Sequence, residues 1–169
     1  MTVFSILRYL RHGLLKFAGP LWIVLGLIYR FIIIRCGMKF AVSHSIGPYG
    51  PFHMQPEFAF SNFKDWGKKH NRAFTACVEA AKGKNCVLDV GAHIGLVTMP
   101  ISKVLSLTGQ VIAFEPSAAN SKALKNHLVL NAISNVRVVN YLVGDKNTSA
   151  ATFYESPEIT GMNTCAPIK

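Results

Sequence analysis

The chain has 169 residues, half of them apolar, and its 18 basic and 8 acidic side chains give a net charge of +10. That length accommodates one modest domain and an appendage. Residues 1–40 carry six basic side chains (Arg8, Arg11, Lys16, Arg30, Arg35 and Lys39) and no acid, so the surplus gathers around an apolar segment. This points to anionic lipid headgroups and away from nucleic acid, for which no binding motif is present.

In chain order, the first feature is the run Leu14–Ile34, interrupted only by Lys16 and Arg30. Its 21 residues suffice to cross a bilayer as a helix, with Trp22 and Tyr29 as interfacial anchors and Gly19-Pro20 starting or kinking it. Only the 13 residues from Phe17 to Tyr29 are uninterrupted, so a helix lying in the interface and a helix buried in the domain stay open beside the spanning one. Residues 1–40 are read as a basic segment that meets a membrane surface or bilayer through residues 14–34.

Residues 41–69 read as an irregular lead-in, punctuated by Gly47-Pro48, Gly50-Pro51 and Pro56. Phe58, Phe60 and Phe63 form an aromatic patch, a candidate short strand. The remaining domain, 70–169, opens with a helix expected over Asn71–Lys82, where Phe74, Cys77, Val78 and Ala81 fall at helical spacing before Gly83. Strand and helix signals then alternate: strand Cys86–Val90, helix Ile94–Leu107, strand Val111–Phe114, helix Ser117–Leu130 and strand Val136–Val143. Thr152-Phe153-Tyr154 is a further candidate strand. This alternation predicts an α/β fold with a partial parallel sheet, right-handed crossovers and flanking helices. Cys36, Cys77, Cys86 and Cys165 show no C-x-x-C or zinc-finger spacing and are read as buried free thiols of a reducing compartment.

The chemistry concentrates in Val87-Leu88-Asp89-Val90-Gly91-Ala92-His93-Ile94-Gly95 and Ile112-Ala113-Phe114-Glu115-Pro116. Each is an apolar run ending at an acid, and a glycine turn follows the first. Ligands of such sheets bind outside the carboxyl ends of the strands. Gly91 and Gly95 let a ligand approach the backbone, and the following helix start offers free N–H groups. A dinucleotide fingerprint, G-x-G-x-x-G, fails at His93, where its second glycine would stand. Asp89 before the turn repels phosphate and attracts an ammonium group, and Glu115 is placed to accept the hydroxyls of a ribose. S-adenosyl-L-methionine carries an ammonium, a sulfonium and a ribose diol, and so matches both acids.

These residues resemble motif I and the following strand of class I S-adenosylmethionine-dependent methyltransferases, with a Rossmann-like fold, and most closely the FkbM family. The family's D-x-G-A-N-x-G is met at Asp89, Gly91, Ala92 and Gly95, with His93 in place of Asn. Its F-E-P is met at Phe114-Glu115-Pro116, and its N-x-x-L-N…N-V and G-D segments at Asn126–Asn135 and Gly144-Asp145. The resemblance covers about Gly83 to Thr164.

By position it implies that Asp89, Gly91, Ala92, His93 and Gly95 surround the methionine end of the cofactor. Glu115 would bind the ribose, Pro116 shape the adenine edge, and Asp145 accept from the adenine amino group. It further implies methyl transfer to a hydroxyl of a sugar or secondary metabolite, so a small-molecule or glycan acceptor, on the cytoplasmic side of a membrane where the cofactor is made. Gly161-Met162-Asn163-Thr164 resembles a loop on the acceptor side, and no catalytic base is assignable. The family continues with further strands, so this stretch is read as the N-terminal part of such a domain. Two alternatives remain: an inactive, membrane-associated fragment that binds only a nucleotide or partner, and an NAD(P)-dependent oxidoreductase.

Overall fold

The computed structural model describes residues 3–12, 18–68, 71–146 and 152–154. The chain divides into two compact units, Met1–His70 and Asn71–Lys169.

The first unit holds helices α1 (Val3–His12) and α2 (Gly19–Arg35), then strands β1 (Val42–Ile46) and β2 (Tyr49–Met54) and a short 3-10 helix at Pro56–Phe58. The strands form an antiparallel hairpin pairing Val42 with Met54 and His44 with Phe52. Val42, His44, Ile46, Phe52 and Met54 all point inward and are buried. Within residues 41–69, expected as an irregular lead-in, residues 42–54 form this hairpin, and the aromatic patch Phe58–Phe63 does not form a strand. It packs on the hairpin instead: the Phe63 ring meets His44 edge to face at 5.2 Å, and the Phe63 carbonyl accepts the Gly47 amide at 2.8 Å.

Helix α2 is 17 residues long, about 25 Å at the rise of an α-helix and short of the roughly 30 Å hydrocarbon core. Among the described residues no helix is long and apolar enough to cross a membrane. Part of the run Leu14–Ile34, residues 14–17, lies outside the described residues. Leu21, Ile23, Val24, Leu25, Leu27, Ile28, Phe31 and Ile32 of α2 are exposed.

The second unit begins with α3 (Phe74–Ala81), shorter than expected because Asn71 adopts a left-handed φ of 55° ahead of it. Strands β3 (Cys86–Val90), β4 (Gln110–Phe114) and β5 (Val136–Val139) form one parallel sheet in the order β3-β4-β5. Leu88 pairs with Ile112, and Ile112 with Arg137. Helices α4 (Thr98–Ser102) and α5 (Ala118–Leu130) flank the sheet, and Ser117 caps α5 by accepting the Asn120 amide at 3.2 Å.

The core gathers Val78, Ile94, Met99, Ile101, Val111, Ala113, Leu124 and Leu128. The other side of β3 is open, leaving Leu88 62% and Val90 61% exposed. Cys36, Cys77 and Cys86 are exposed, against the expectation of buried thiols. For Cys86 the reason is that it alternates onto the same open side as Leu88 and Val90.

Two element lengths differ from expectation for local reasons. The helix expected over Ile94–Leu107 is confined to Thr98–Ser102; it cannot begin at Ile94 because Gly95 takes a φ of 96°, which no right-handed helix admits. The strand expected over Val136–Val143 stops at Val139, where the Asn140 side-chain Nδ2 donates to the carbonyls of Glu115 and Pro116 at 2.7 and 3.0 Å. Tyr154 makes an isolated bridge only, so Thr152–Tyr154 is not a strand.

Candidate functional site

Parallel strands β3 and β4 end side by side, so the acids that close their apolar runs are brought to one end of the sheet. The connecting turn from Gly91 to Val97 is stitched to that end by backbone bonds. The amides of Gly91 and Ala92 both donate to the Phe114 carbonyl, at 2.9 and 3.0 Å, and the Gly95 amide donates to Ala92 at 2.9 Å.

Glu115 completes the stitching. It is only 5% exposed. Its Oε2 accepts the His93 amide at 2.7 Å, and its Oε1 accepts the Ser117 amide at 3.0 Å and the Asn120 side-chain amide at 3.4 Å. A carboxylate offers about four acceptor positions, and three are met by the chain itself. One position on Oε2 remains for a ligand hydroxyl without rearrangement, which narrows the expectation that Glu115 accepts both hydroxyls of a ribose.

Asp89 accepts the Thr98 hydroxyl at 2.6 Å. Burial pushes its carboxyl above the ordinary carboxylate range; the Thr98 hydrogen bond opposes that rise and the charge of Glu115 adds to it. Among the described residues neither carboxylate forms an ion pair. The strand ends therefore concentrate negative charge that an incoming cation would neutralise.

The two glycines serve different ends. A Cβ on Gly91 would meet nothing within 4 Å, whereas one on Gly95 would lie 2.6 Å from Leu124 Cδ1. Gly91 borders open space where a ligand can lie against the backbone. Gly95 permits α5 to pack against the turn.

The structure thus brings together Asp89, Gly91, Ala92, His93, Gly95 and Glu115, with Pro116 following directly. Asp145 is exposed beyond β5, and among the described residues no hydrogen bond ties it to the others. Residues 161–164, expected near the acceptor, lie outside the described residues.

Sequence reasoning missed the supports of this turn. His127 on α5 is fully buried and its Nδ1 lies 2.9 Å from the Ile94 carbonyl. Since a carbonyl only accepts, Nδ1 carries the proton and donates; burial holds the His127 pKa below its usual value, although this hydrogen bond opposes the shift. The signal was present in the spacing Leu124, His127, Leu128, which puts the histidine on the apolar face of α5. Asn140 left no such signal, because its partners Glu115 and Pro116 lie 25 and 24 residues away in sequence.

No family model matches the sequence, and no curated protein matches it. Solved structures share part of its form. A methyltransferase from Geobacter sulfurreducens aligns with a TM-score of 0.39 at 16% identity, over 43% of this chain and 40% of that one. TYW2 of P. horikoshii, solved in complex with MeSAdo, aligns with a TM-score of 0.44 at 20% identity, over 62% of this chain and 37% of that one. YcgJ of Bacillus subtilis aligns with a TM-score of 0.38 at 17% identity, over 43% and 31%. The aligned part spans less than half the length of each of these proteins.

Proposed function

We propose that this chain carries the cofactor-binding part of an FkbM-type, S-adenosyl-L-methionine-dependent methyltransferase that O-methylates a small-molecule or glycan hydroxyl. The observation that supports this reading best is the open backbone at Gly91 between two carboxylates, Asp89 and Glu115. The residues fit the group. Open space borders Gly91, Asp89 is ready for a cationic neighbour, and Oε2 of Glu115 has room for one hydroxyl.

In this reading Asp89 faces the ammonium end of the cofactor, and the turn from Gly91 through Ala92 and His93 to Gly95 lies along it. Glu115 takes a ribose hydroxyl, Pro116 borders the adenine, and Asp145 receives its amino group. When bound, the cofactor supplies an electrophilic methyl on a sulfonium. The chain's own part is alignment: Glu115 fixes the turn through the His93 amide, His127 fixes it through Ile94, and Thr98 orients Asp89. Such fixing favours an in-line approach of an acceptor oxygen.

Calorimetric titration with S-adenosylmethionine, S-adenosylhomocysteine and NAD tests the reading, with Asp89→Asn as control. Binding of both adenosyl ligands, weakened in the control, is expected. Heat with NAD alone would overturn the methyltransferase and leave the oxidoreductase. Adenosyl binding without turnover on any hydroxylated acceptor favours the binding-only fragment.

We further propose that α2 rests on the surface of an anionic membrane, holding the methyltransferase part on the cytoplasmic side. Support comes from the exposed apolar residues of α2 and the acid-free basic stretch around it. Deleting residues 1–40 should release the protein from sedimenting vesicles; continued sedimentation would count against it.

A further inference from the structure

The first unit contains a cavity of about 450 Å³ lined by α1, α2 and the chain from Glu57 to Asn62. Trp22, Tyr29 and Phe60 contribute aromatic walls, and Arg11 and Glu57 also line it. The walls are fixed: Tyr29 donates its hydroxyl to the Pro56 carbonyl at 2.9 Å, and its ring meets Phe60 edge to face at 4.8 Å.

Glu57 is the first acid in the sequence. Its Oε2 is buried without a hydrogen-bond partner among the described residues. Leaving a carboxylate oxygen in that state is costly unless a cation or donor meets it. Arg11 does not do so: its Nη1 lies 3.5 Å from the Phe60 carbonyl, and no ion pair joins it to Glu57 among the described residues. A neutral apolar occupant would leave the oxygen unmet. A hard metal ion would want several oxygens where this cavity offers aromatic rings. Aromatic faces do attract organic cations, and the volume is that of a small-molecule site.

We propose that this cavity binds an organic ammonium group, with Glu57 as its counter-charge and Trp22, Tyr29 and Phe60 around its alkyl substituents. The ammonium can come from a lipid headgroup or from a soluble amine. Ile23 and Leu27 line the cavity and are also 62% and 63% exposed, so the site opens onto the apolar surface of α2.

The test uses the whole chain, titrated calorimetrically with choline and with its uncharged carbon isostere, in the wild type and Glu57→Gln. Choline is expected to saturate, with the isostere about tenfold weaker or worse, and Glu57→Gln to lose about tenfold in affinity. Glu57→Gln should melt no lower than wild type, since it removes the charge on a carboxyl whose Oε2 is buried without a hydrogen-bond partner among the described residues. If it fails to fold, Trp22→Leu serves instead, weakening choline more than the isostere. Vesicles of phosphatidylcholine and of phosphatidylglycerol separate the sources. Glu57-dependent binding to the former assigns the headgroup, and choline binding without vesicle binding assigns a soluble amine. Equal affinity for choline and isostere, or choline binding indifferent to Glu57→Gln, overturns the proposal. So does binding to phosphatidylglycerol alone without choline saturation.

Discussion

The Glu115 carboxylate takes the backbone amide of His93 at 2.7 Å, 22 residues back in the chain, and so ties the end of β4 to the turn after β3. The bond has a charged acceptor and is partly buried, where such bonds are strongest. Glu115→Gln keeps the shape but presents an NH₂ either to the His93 amide or to the Ser117 and Asn120 donors. One donor is left facing another in both orientations. A loss of about 1–3 kcal/mol in unfolding free energy is expected; chemical denaturation checks it, and an unchanged midpoint would mean that the tie carries no stability.

His93 stands at φ 51°, a left-handed conformation that Asn and His tolerate better than most residues and that β-branched residues resist. His93→Asn should fold as stably as wild type, to within about 0.5 kcal/mol, and keep its cofactor affinity. His93→Val should lose about 1–2 kcal/mol. A loss of turnover in His93→Asn with binding intact would instead give the imidazole a chemical role.

Gly91 and Gly95 both have positive φ, 82° and 96°, so alanine strains either one by about 1–2 kcal/mol. Only Gly95 adds a steric conflict, with the fully buried Leu124. Gly95→Ala should therefore lower the melting temperature more than Gly91→Ala. Gly91→Ala should cut affinity for an adenosyl ligand more than its stability loss explains. Calorimetry beside thermal melts reads both, and the reverse order would remove Gly91 from the ligand surface.

Much of the second unit was legible. The apolar runs ending at Asp89 and Glu115 are β3 and β4, and Ser117 caps the helix that the spacing of Leu124 and Leu128 announces. The turn was harder, because left-handed Gly95 cuts the helical pattern that begins at Ile94, and hydrophobicity does not encode φ. The hairpin was hidden because His44 occupies an inward position and because Gly47-Pro48 and Pro51 read as punctuation. Pro51 is tolerated since β2 pairs on one side only. For the site, spacing identified the acids but not how many of their lone pairs the chain itself uses.

An unbroken apolar run such as Val87-Leu88 reads as buried on both faces, yet Leu88 is exposed while Val111 on the neighbouring strand is fully buried. Leu88→Thr is expected to change stability by less than about 0.5 kcal/mol. Val111→Ala should cost about 1–3 kcal/mol. Equal losses in urea titrations would mean that the open side of β3 is covered in solution. Cys86, on that same side, should then also resist thiol reagents that the native chain is otherwise expected to admit.

Asp89 and His127 give the second unit opposite responses to acid. Burial is the larger cause in both, raising the Asp89 pKa from 3.8 and lowering that of His127 from 6.5. For Asp89 the folded state holds its proton to higher pH than the unfolded state. Its contribution to stability is therefore present below pH 3.8 and is lost as pH rises through the folded value. For His127 the unfolded state takes up the proton first, so stability falls as pH drops below 6.5 toward the folded value. His127→Asn, which keeps an amide donor near the Nδ1 position, should be less stable at neutral pH yet lose the acid slope below 6.5. Asp89→Asn should remove the opposing slope above 3.8. A cationic ligand beside Asp89 favours its ionised form, so affinity should strengthen as pH rises through the folded Asp89 value, and Asp89→Asn should abolish that dependence. An affinity flat with pH in the wild type would separate Asp89 from the ligand's charge.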